Sequence, residues 1–283
     1  MSDMTVKVNG TELFVRDTGE RDLPVVLALH SLFLDGRMFD GFVDAAAGRF
    51  RVVRPDFRGQ GRSAAAAVEL HYSDFIDMDT CTADITALAD ALGLSSVHLL
   101  VQSMGGDVGF RLAAARPALV RSMVVLGSSA RAEPPEQLGR FRQWVDDVGN
   151  HGFVGEILDD TMAIMFGETT RNDRAKRDLV ELWRSRIAAV PKTLRPAMSG
   201  VIERGSVVEL LPQITAPVLI VSGTEDLPRP PEWSDEVAAG LPNAELWRLR
   251  GIGHSPILEA PDIVLPRVLD FLSGQGQDAG FDA

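Results

Sequence analysis

Residues 99–106 read LLVQSMGG, an apolar run that stops at a hydroxyl and is followed within two residues by a pair of glycines. Glycine weakens helix and strand interiors alike, so something local must require it here. The run VHLLVQ (97–102) predicts a buried strand, and DVGFRLAAARP (107–117) predicts a helix running toward Pro117. Ser103 therefore falls on the turn between them. A sharp strand-to-helix turn strains the backbone of its central residue and tolerates only small neighbours. It lifts the hydroxyl above the C-terminal edge of the strands, where open α/β sheets bind ligands. It also aims the first helical N–H groups at the same point, as an oxyanion would need. The competing reading is a plain helix N-cap serine.

Working outward, similar short β-branched runs recur at 25–30 (VVLALH), 51–56 (RVVRPD), 121–127 (RSMVVLG), 217–223 (PVLIVSG) and 244–249 (AELWRL). They are continuously apolar, which suits strands covered on both faces. Helical stretches fall between them. Asp79 to Leu92 places Cys81, Ile85, Leu88, Ala89 and Leu92 at helical spacing before Gly93, a common stop. Strands alternating with helices mean βαβ units and a mostly parallel sheet. At the start, MTVKV and ELFVRD flank Asn9-Gly10, a strong hairpin signal. The expectation is an α/β fold with a mostly parallel eight-stranded sheet and helices on both faces.

The rhythm breaks between about Arg131 and Leu210, where no strand run occurs. Phe141, Trp144, Val145 and Val148 form one helical stripe; Leu179, Leu182, Trp183 and Ile187 form another. No linker composition flanks this region, so it is expected to be a helical cap on one domain. The division is then a core of 1–130 and 211–273, a cap of 131–210, and a polar, glycine-rich tail of 274–283 expected to be disordered.

Composition narrows the function classes. The 283 residues carry 40 acidic against 28 basic side chains, a net charge of −12 that disfavours nucleic acid and anionic membranes as partners. Cys81 is the sole cysteine, so neither an internal disulfide nor a cysteine metal site can form. The N-terminus has no apolar signal segment and no run approaches a membrane span, which leads us to expect a cytoplasmic protein. His71, His98 and His151 lack partners at metal-ligand spacing, and GGDVG lacks the spacing of a dinucleotide fingerprint. No metal or cofactor is expected, and a homodimer is left open.

These features resemble the α/β-hydrolase family over nearly the whole chain. The family elbow G-x-S-x-G appears as Val101-Gln102-Ser103-Met104-Gly105, with valine in place of the first glycine. That β-branched residue crowds the turn, so the turn is expected to open or its helix to shift. The family's His-Gly after the third strand appears as His30-Ser31, followed by Leu32. Asp56-Phe57-Arg58-Gly59-Gln60-Gly61-Arg62-Ser63 matches D-x-R-G-x-G-x-S and takes a structural role at the site's edge. Gly223-Thr224-Glu225-Asp226 resembles the acid loop, and Gly253-His254-Ser255 follows the last strand, where the family places its base.

The resemblance implies a triad of Ser103, His254 and Asp226, with the N–H groups of Leu32 and Met104 as the oxyanion hole. Glu225 competes with Asp226, but the family spacing favours Asp226; Asp226 could instead be a turn aspartate before Pro228, and His254 a plain loop residue. The alternative acid position, after RSMVVLG, holds only Ser128 and Ser129. Phe33, Trp144, Met162, Met165, Phe166 and Trp183 are candidates to line an apolar substrate pocket, although such stripes also serve simple packing. The implied reaction is cofactor-free hydrolysis of an ester or lactone of a small-to-medium hydrophobic substrate. A carbon–carbon bond hydrolase or an acyltransferase or perhydrolase would use the same triad, and a non-catalytic ligand-binding protein is the remaining alternative.

Overall fold

A computed structural model describes residues 2–63 and 75–274; His71 and the tail beyond Gly274 lie outside them. Asn9 and Gly10 both take left-handed φ, +42° and +73°, the geometry that joins strands across two residues. Strands β1 (Ser2–Val8) and β2 (Thr11–Asp17) accordingly pair antiparallel from Val8 and Thr11 outward. The other apolar runs become β3 (Val25–Leu29), β4 (Arg51–Pro55), β5 (Val97–Gln102), β6 (Val120–Leu126), β7 (Val218–Gly223) and β8 (Ala244–Leu249). They form one eight-stranded sheet in the order β1-β2-β4-β3-β5-β6-β7-β8, parallel from β4 onward.

Every residue of β4, β5 and β7 is buried, as continuous apolar runs require of strands covered on both faces. β8 departs from that expectation. It is the sheet's edge, and Ala244, Glu245 and Arg248 are exposed, because only β7 flanks it.

The helices are α1 (Asp40–Ala46), α2 (Met78–Ala91), α3 (Met104–Ala115), α4 (Pro135–His151), α5 (Gly155–Met165), α6 (Glu168–Asn172), α7 (Arg177–Ala188), α8 (Arg195–Ile202), α9 (Pro231–Gly240), α10 (Pro256–Glu259) and α11 (Pro261–Gly274). The helix expected from Asp79 starts one residue earlier, at Met78, because the Asp77 carboxylate caps the N–H of Thr80, and Gly93 at φ +65° follows its end. α1 packs with α11 and α2 with α3, giving the sheet its helical layers.

Two features position a site. First, the strand order reverses at β3, since the chain passes to β4 on one side and then to β5 on the other. Such a reversal opens a crevice at the C-terminal strand ends, where the loops after β3 and β5 meet. Second, α4 to α8 all lie between β6 and β7, and the backbone N–H of Val207 bonds to Ala130 O at 2.7 Å, so this helical cap leaves and rejoins the core at one place. It is seated closely: Ile76 N–H donates to Pro196 O, and a Cβ on Gly200 would stand 1.7 Å from Ile76 O. Of the two stripes, Val145, Val148, Trp183 and Ile187 are buried, whereas Leu182 is 47% exposed on the outer side of α7.

Candidate active site

The turn after β5 is closed and strained. Ser103 has φ +52° and ψ −113°, a conformation that costs a non-glycine residue on the order of 1–3 kcal/mol and persists only where the surroundings enforce it. They do so through hydrogen bonds. Ser103 N–H donates to Leu126 O at 3.0 Å, while Ser103 O accepts from the N–H groups of Gly106 and Asp107. The Ser128 hydroxyl, 3.2 Å from Ser103 O and 3.0 Å from Leu126 O, shares its proton between them. The Ser103 side chain makes no capping hydrogen bond, so the N-cap reading fails on geometry.

The glycines have separate reasons. A Cβ on Gly105 would lie 2.1 Å from Leu29 O, and one on Gly106 would lie 2.2 Å from Ser128 Oγ. Of the two outcomes expected of Val101, an opened turn or a shifted helix, the first does not occur. The Val101 methyl groups face Gly109, one turn into α3, where an added Cβ would approach Val101 Cγ1 to 3.1 Å. The side-chain space missing on the strand is supplied by a glycine on the helix.

After β7, the acid loop separates its two carboxylates. Asp226, buried, accepts from His254 Nδ1 through both oxygens at 2.9 and 3.0 Å, and Oδ1 also accepts the Arg229 N–H. Glu225 turns to the cap instead, accepting from the N–H and hydroxyl of Thr169, and these bonds hold its carboxyl below the usual range. His254 is 2% exposed and Ser103 6%, so both are buried. Gln102 Nε2, beside the nucleophile candidate, donates to Ser255 Oγ, beside the base candidate, at 3.2 Å.

The loop after β3 is held by His30. Its Nε2 accepts the Phe57 N–H at 2.9 Å and its Nδ1 donates to Ser31 O at 2.8 Å, which fixes the tautomer and spends both ring nitrogens on the backbone. Leu32 is buried in that loop, and Phe33 follows at φ +70°. Asp56 organises the far side, accepting from Gly36 N and Arg62 N, while Ser63 Oγ donates to Asp56 O. Gly61 at φ +52° passes so near the Asp56 carboxylate that a Cβ would lie 2.3 Å from it.

Of the expected pocket residues, Phe33 and Trp183 line a cavity of about 370 Å³ next to the β3 loop. Trp144 stands behind Phe33, edge-on at 5.6 Å. Met162, Met165 and Phe166 are buried in the cap, Phe166 leading into Gly167, which abuts Gly253 beside His254. Ser103, Asp226 and His254 do not line this cavity, whose wall also carries Arg16, Asp35, Arg37, Gln60, Arg62 and Arg186.

Two supports of the site had no signal in the sequence. Glu259, 1% exposed, accepts the N–H groups of Gly167, Gly253 and Ser255, clamping both sides of His254 and the cap together. A buried quartet lies behind Asp226. Glu133 takes Arg204 Nη1 at 2.6 Å and Arg229 Nη1 at 2.9 Å, while Asp107 Oδ1 stands 3.2 Å from Arg204 Nε and Oδ2 3.8 Å from Arg229 Nη2. Burial pushes Asp107 up, and its arginines offset that only in part. Burial alone would raise Glu133 too, but Arg229 and Arg204 outweigh it and hold that carboxyl low. Arg229 itself is lowered, chiefly by burial.

The alpha/beta hydrolase fold family matches residues 24–261. A solved thermophilic esterase from Thermogutta terrifontis superposes with a TM-score of 0.85 at 27% identity, over 97% of this chain and 99% of that one. The enol-lactonase from Burkholderia xenovorans LB400 gives 0.84 at 26%, over 95% and 100%. A non-heme chloroperoxidase of Streptomyces lividans is 26% identical over 284 residues, covering 93% of this chain and 97% of that one. No helix among the described residues is long and apolar enough to cross a membrane.

Proposed function

The chain belongs to the α/β-hydrolase family, and from that premise we propose that it is a serine hydrolase cleaving a carboxylic ester or lactone through an acyl-enzyme. The observation that carries the reading is the buried, two-oxygen contact of Asp226 with His254 Nδ1, together with a serine in strained backbone geometry whose neighbour Gln102 bonds to Ser255, next to His254. With Nδ1–H donated to Asp226, the His254 Nε2 lone pair is free to take the Ser103 proton as Oγ attacks the substrate carbonyl. The oxyanion that forms would be held by the N–H groups of Met104 and Leu32, each donor being worth about 10²–10³ in rate. Collapse expels the alkoxide, which takes the proton from His254. Water then attacks the acyl-enzyme, giving its proton to His254, and Ser103 is regenerated as the carboxylic acid leaves. A lactone follows the same course with its leaving alkoxide still tethered.

Hydrolysis of 4-nitrophenyl acetate, butyrate and octanoate tests this, with Ser103→Ala in parallel. Turnover that vanishes in the variant supports the reading, and chain-length preference sizes the acyl site. Equal inertness of both proteins across esters and lactones would refute it. The likeness to a non-heme chloroperoxidase favours one second reading, transfer of the acyl group to hydrogen peroxide. It predicts that added peroxide increases acyl-enzyme turnover beyond that with water alone.

A further inference from the structure

The cavity beside the β3 loop holds more positive charge than its own carboxylates neutralise. Arg16, Arg37, Arg62 and Arg186 line it against a single acid, Asp35. Three of these guanidiniums have carboxylate partners. Arg37 grips Asp35 through Nε and Nη2, Arg16 lies 3.4 Å from Asp56, and Arg62 bonds to Asp3 at 2.7 Å. Arg186 has no carboxylate within ion-pair distance among the described residues. Asp35 is committed to Arg37, and Asp40, the other acid acting on Arg186, is committed to Arg54 at 2.5 Å.

Arg186 is half-buried on α7, its guanidinium stacked 4.5 Å over the ring of Trp183, one turn earlier. Burial and the neighbouring Arg37 lower its pKa, which marks a cation placed where its charge is poorly compensated. In a chain of net charge −12, such a cation is not there for want of acids.

Gln60 is an independent second observation. It lines the same cavity, is 2% exposed, gives its N–H only to the sulfur of Met104 at 3.1 Å, and leaves Oε1 without a partner among the described residues. A buried amide left so poorly bonded is costly unless a ligand completes it. A half-turn of the amide gives up only the sulfur contact and puts the N–H in the unpartnered place of Oε1. Gln60 thus reaches from the residue after Ser103 to the cavity wall, and Phe33 and Leu34 continue that wall directly from Leu32.

We propose that this cavity is a carboxylate subsite: the substrate of the hydrolysis proposed above bears a second, anionic carboxyl group, which the planar fork of Arg186 takes bidentately with Gln60 as a further donor. Arginine suits this because its rigid fork matches carboxylate geometry, and a stacked, partly desolvated guanidinium bonds anions more strongly than a hydrated one. The preferred substrates are then half-esters or carboxylated lactones, with the reacting carbonyl at Ser103 and the free carboxylate at Arg186.

This rests on the hydrolase reading, so the test has one arm with chemistry and one without. The kinetic arm compares 4-nitrophenyl hydrogen glutarate with 4-nitrophenyl valerate, acyl chains of equal length differing in the terminal carboxylate. Arg186→Gln is expected to lower the ratio of their kcat/KM values roughly ten- to hundredfold, as loss of a charged hydrogen bond does, with Arg186→Lys intermediate. A ratio that does not move, with both substrates losing equally, makes Arg186 a packing residue of α7 and overturns the proposal. The binding arm titrates monomethyl glutarate calorimetrically into the Ser103→Ala protein. Binding that disappears when Arg186→Gln is added supports the subsite even if neither ester is turned over. Absent binding, or binding indifferent to Arg186, overturns it whatever the kinetics give.

Discussion

Acidification should remove a defined amount of stability through one buried imidazole. His98 stands on β5 at 1% exposure, its Nδ1 2.7 Å from Ser122 Oγ and its ring edge-on to Phe50 at 5.7 Å. Burial first, and Arg121 second, lower its pKa from 6.5 to about 4. Between those values the unfolded chain binds a proton that the folded chain refuses. The unfolded state therefore holds more protons, and stability must fall as the pH drops through that window. At about 1.36 kcal/mol per pKa unit the whole gap amounts to about 3 kcal/mol, of which about 2 kcal/mol is lost by pH 5. The perturbation is His98→Gln, which keeps an amide for Ser122 and does not titrate. Urea unfolding of both proteins at pH 7, 6 and 5 isolates the imidazole, since all other titrating groups cancel in the difference. The wild type should lose about 2 kcal/mol more than the variant between pH 7 and 5. Parallel losses would mean that His98 accepts its proton as readily folded as unfolded, and the argument from burial would be wrong.

Three further outcomes follow from the same geometry. Asp226→Asn should leave the fold intact and lower kcat by roughly 10⁴, because an amide favours the wrong imidazole tautomer; a loss under tenfold would point to another acid. Arg204→Met should cost about 3–5 kcal/mol in unfolding free energy, since it leaves Glu133 and Asp107 short of a buried cation; a change under about 1 kcal/mol would show the quartet to be energetically idle. Gly105→Ala and Gly139→Ala should act in opposite directions. The first drives a methyl to 2.1 Å from Leu29 O and should abolish ester hydrolysis by lifting Met104 from its place, whereas the second meets nothing within 4 Å in exposed α4 and should stabilise by about 0.4–1 kcal/mol. Circular dichroism, melting curves and activity on the same samples check both.

The parts of this protein legible in sequence are those governed by neighbours along the chain. Asn9-Gly10 dictates a turn whatever surrounds it, since left-handed φ is a local cost. Val97–Gln102 and Val218–Gly223 read as strands because their burial on both faces is written as unbroken apolar runs. The strained turn at Ser103 was legible because such a turn demands glycines next to it in the sequence. Where a residue's setting depended on sheet position, as at β8, the apolar run misled, because an edge exposes what a centre would cover.

What tertiary structure alone decided joins residues far apart in the chain. Val101 reads as an obstacle to the turn until α3 folds back and sets Gly109 against it. Gln102 and Ser255, separated by 153 residues, meet beside the nucleophile and base candidates. The family spacing already favoured Asp226 over its neighbour Glu225, but only the fold shows that Asp226 faces His254 while Glu225 faces Thr169, a difference of direction that adjacent acids do not encode. The arginines of the cavity come from β2, the loops after β3 and β4, and α7, each unremarkable among surface charges in sequence. Periodicity and turn chemistry act over a few residues, and so could be read directly. Charge pairing and cavity shape depend on distances that exist only once β3, β4, β5 and the cap have closed on one another.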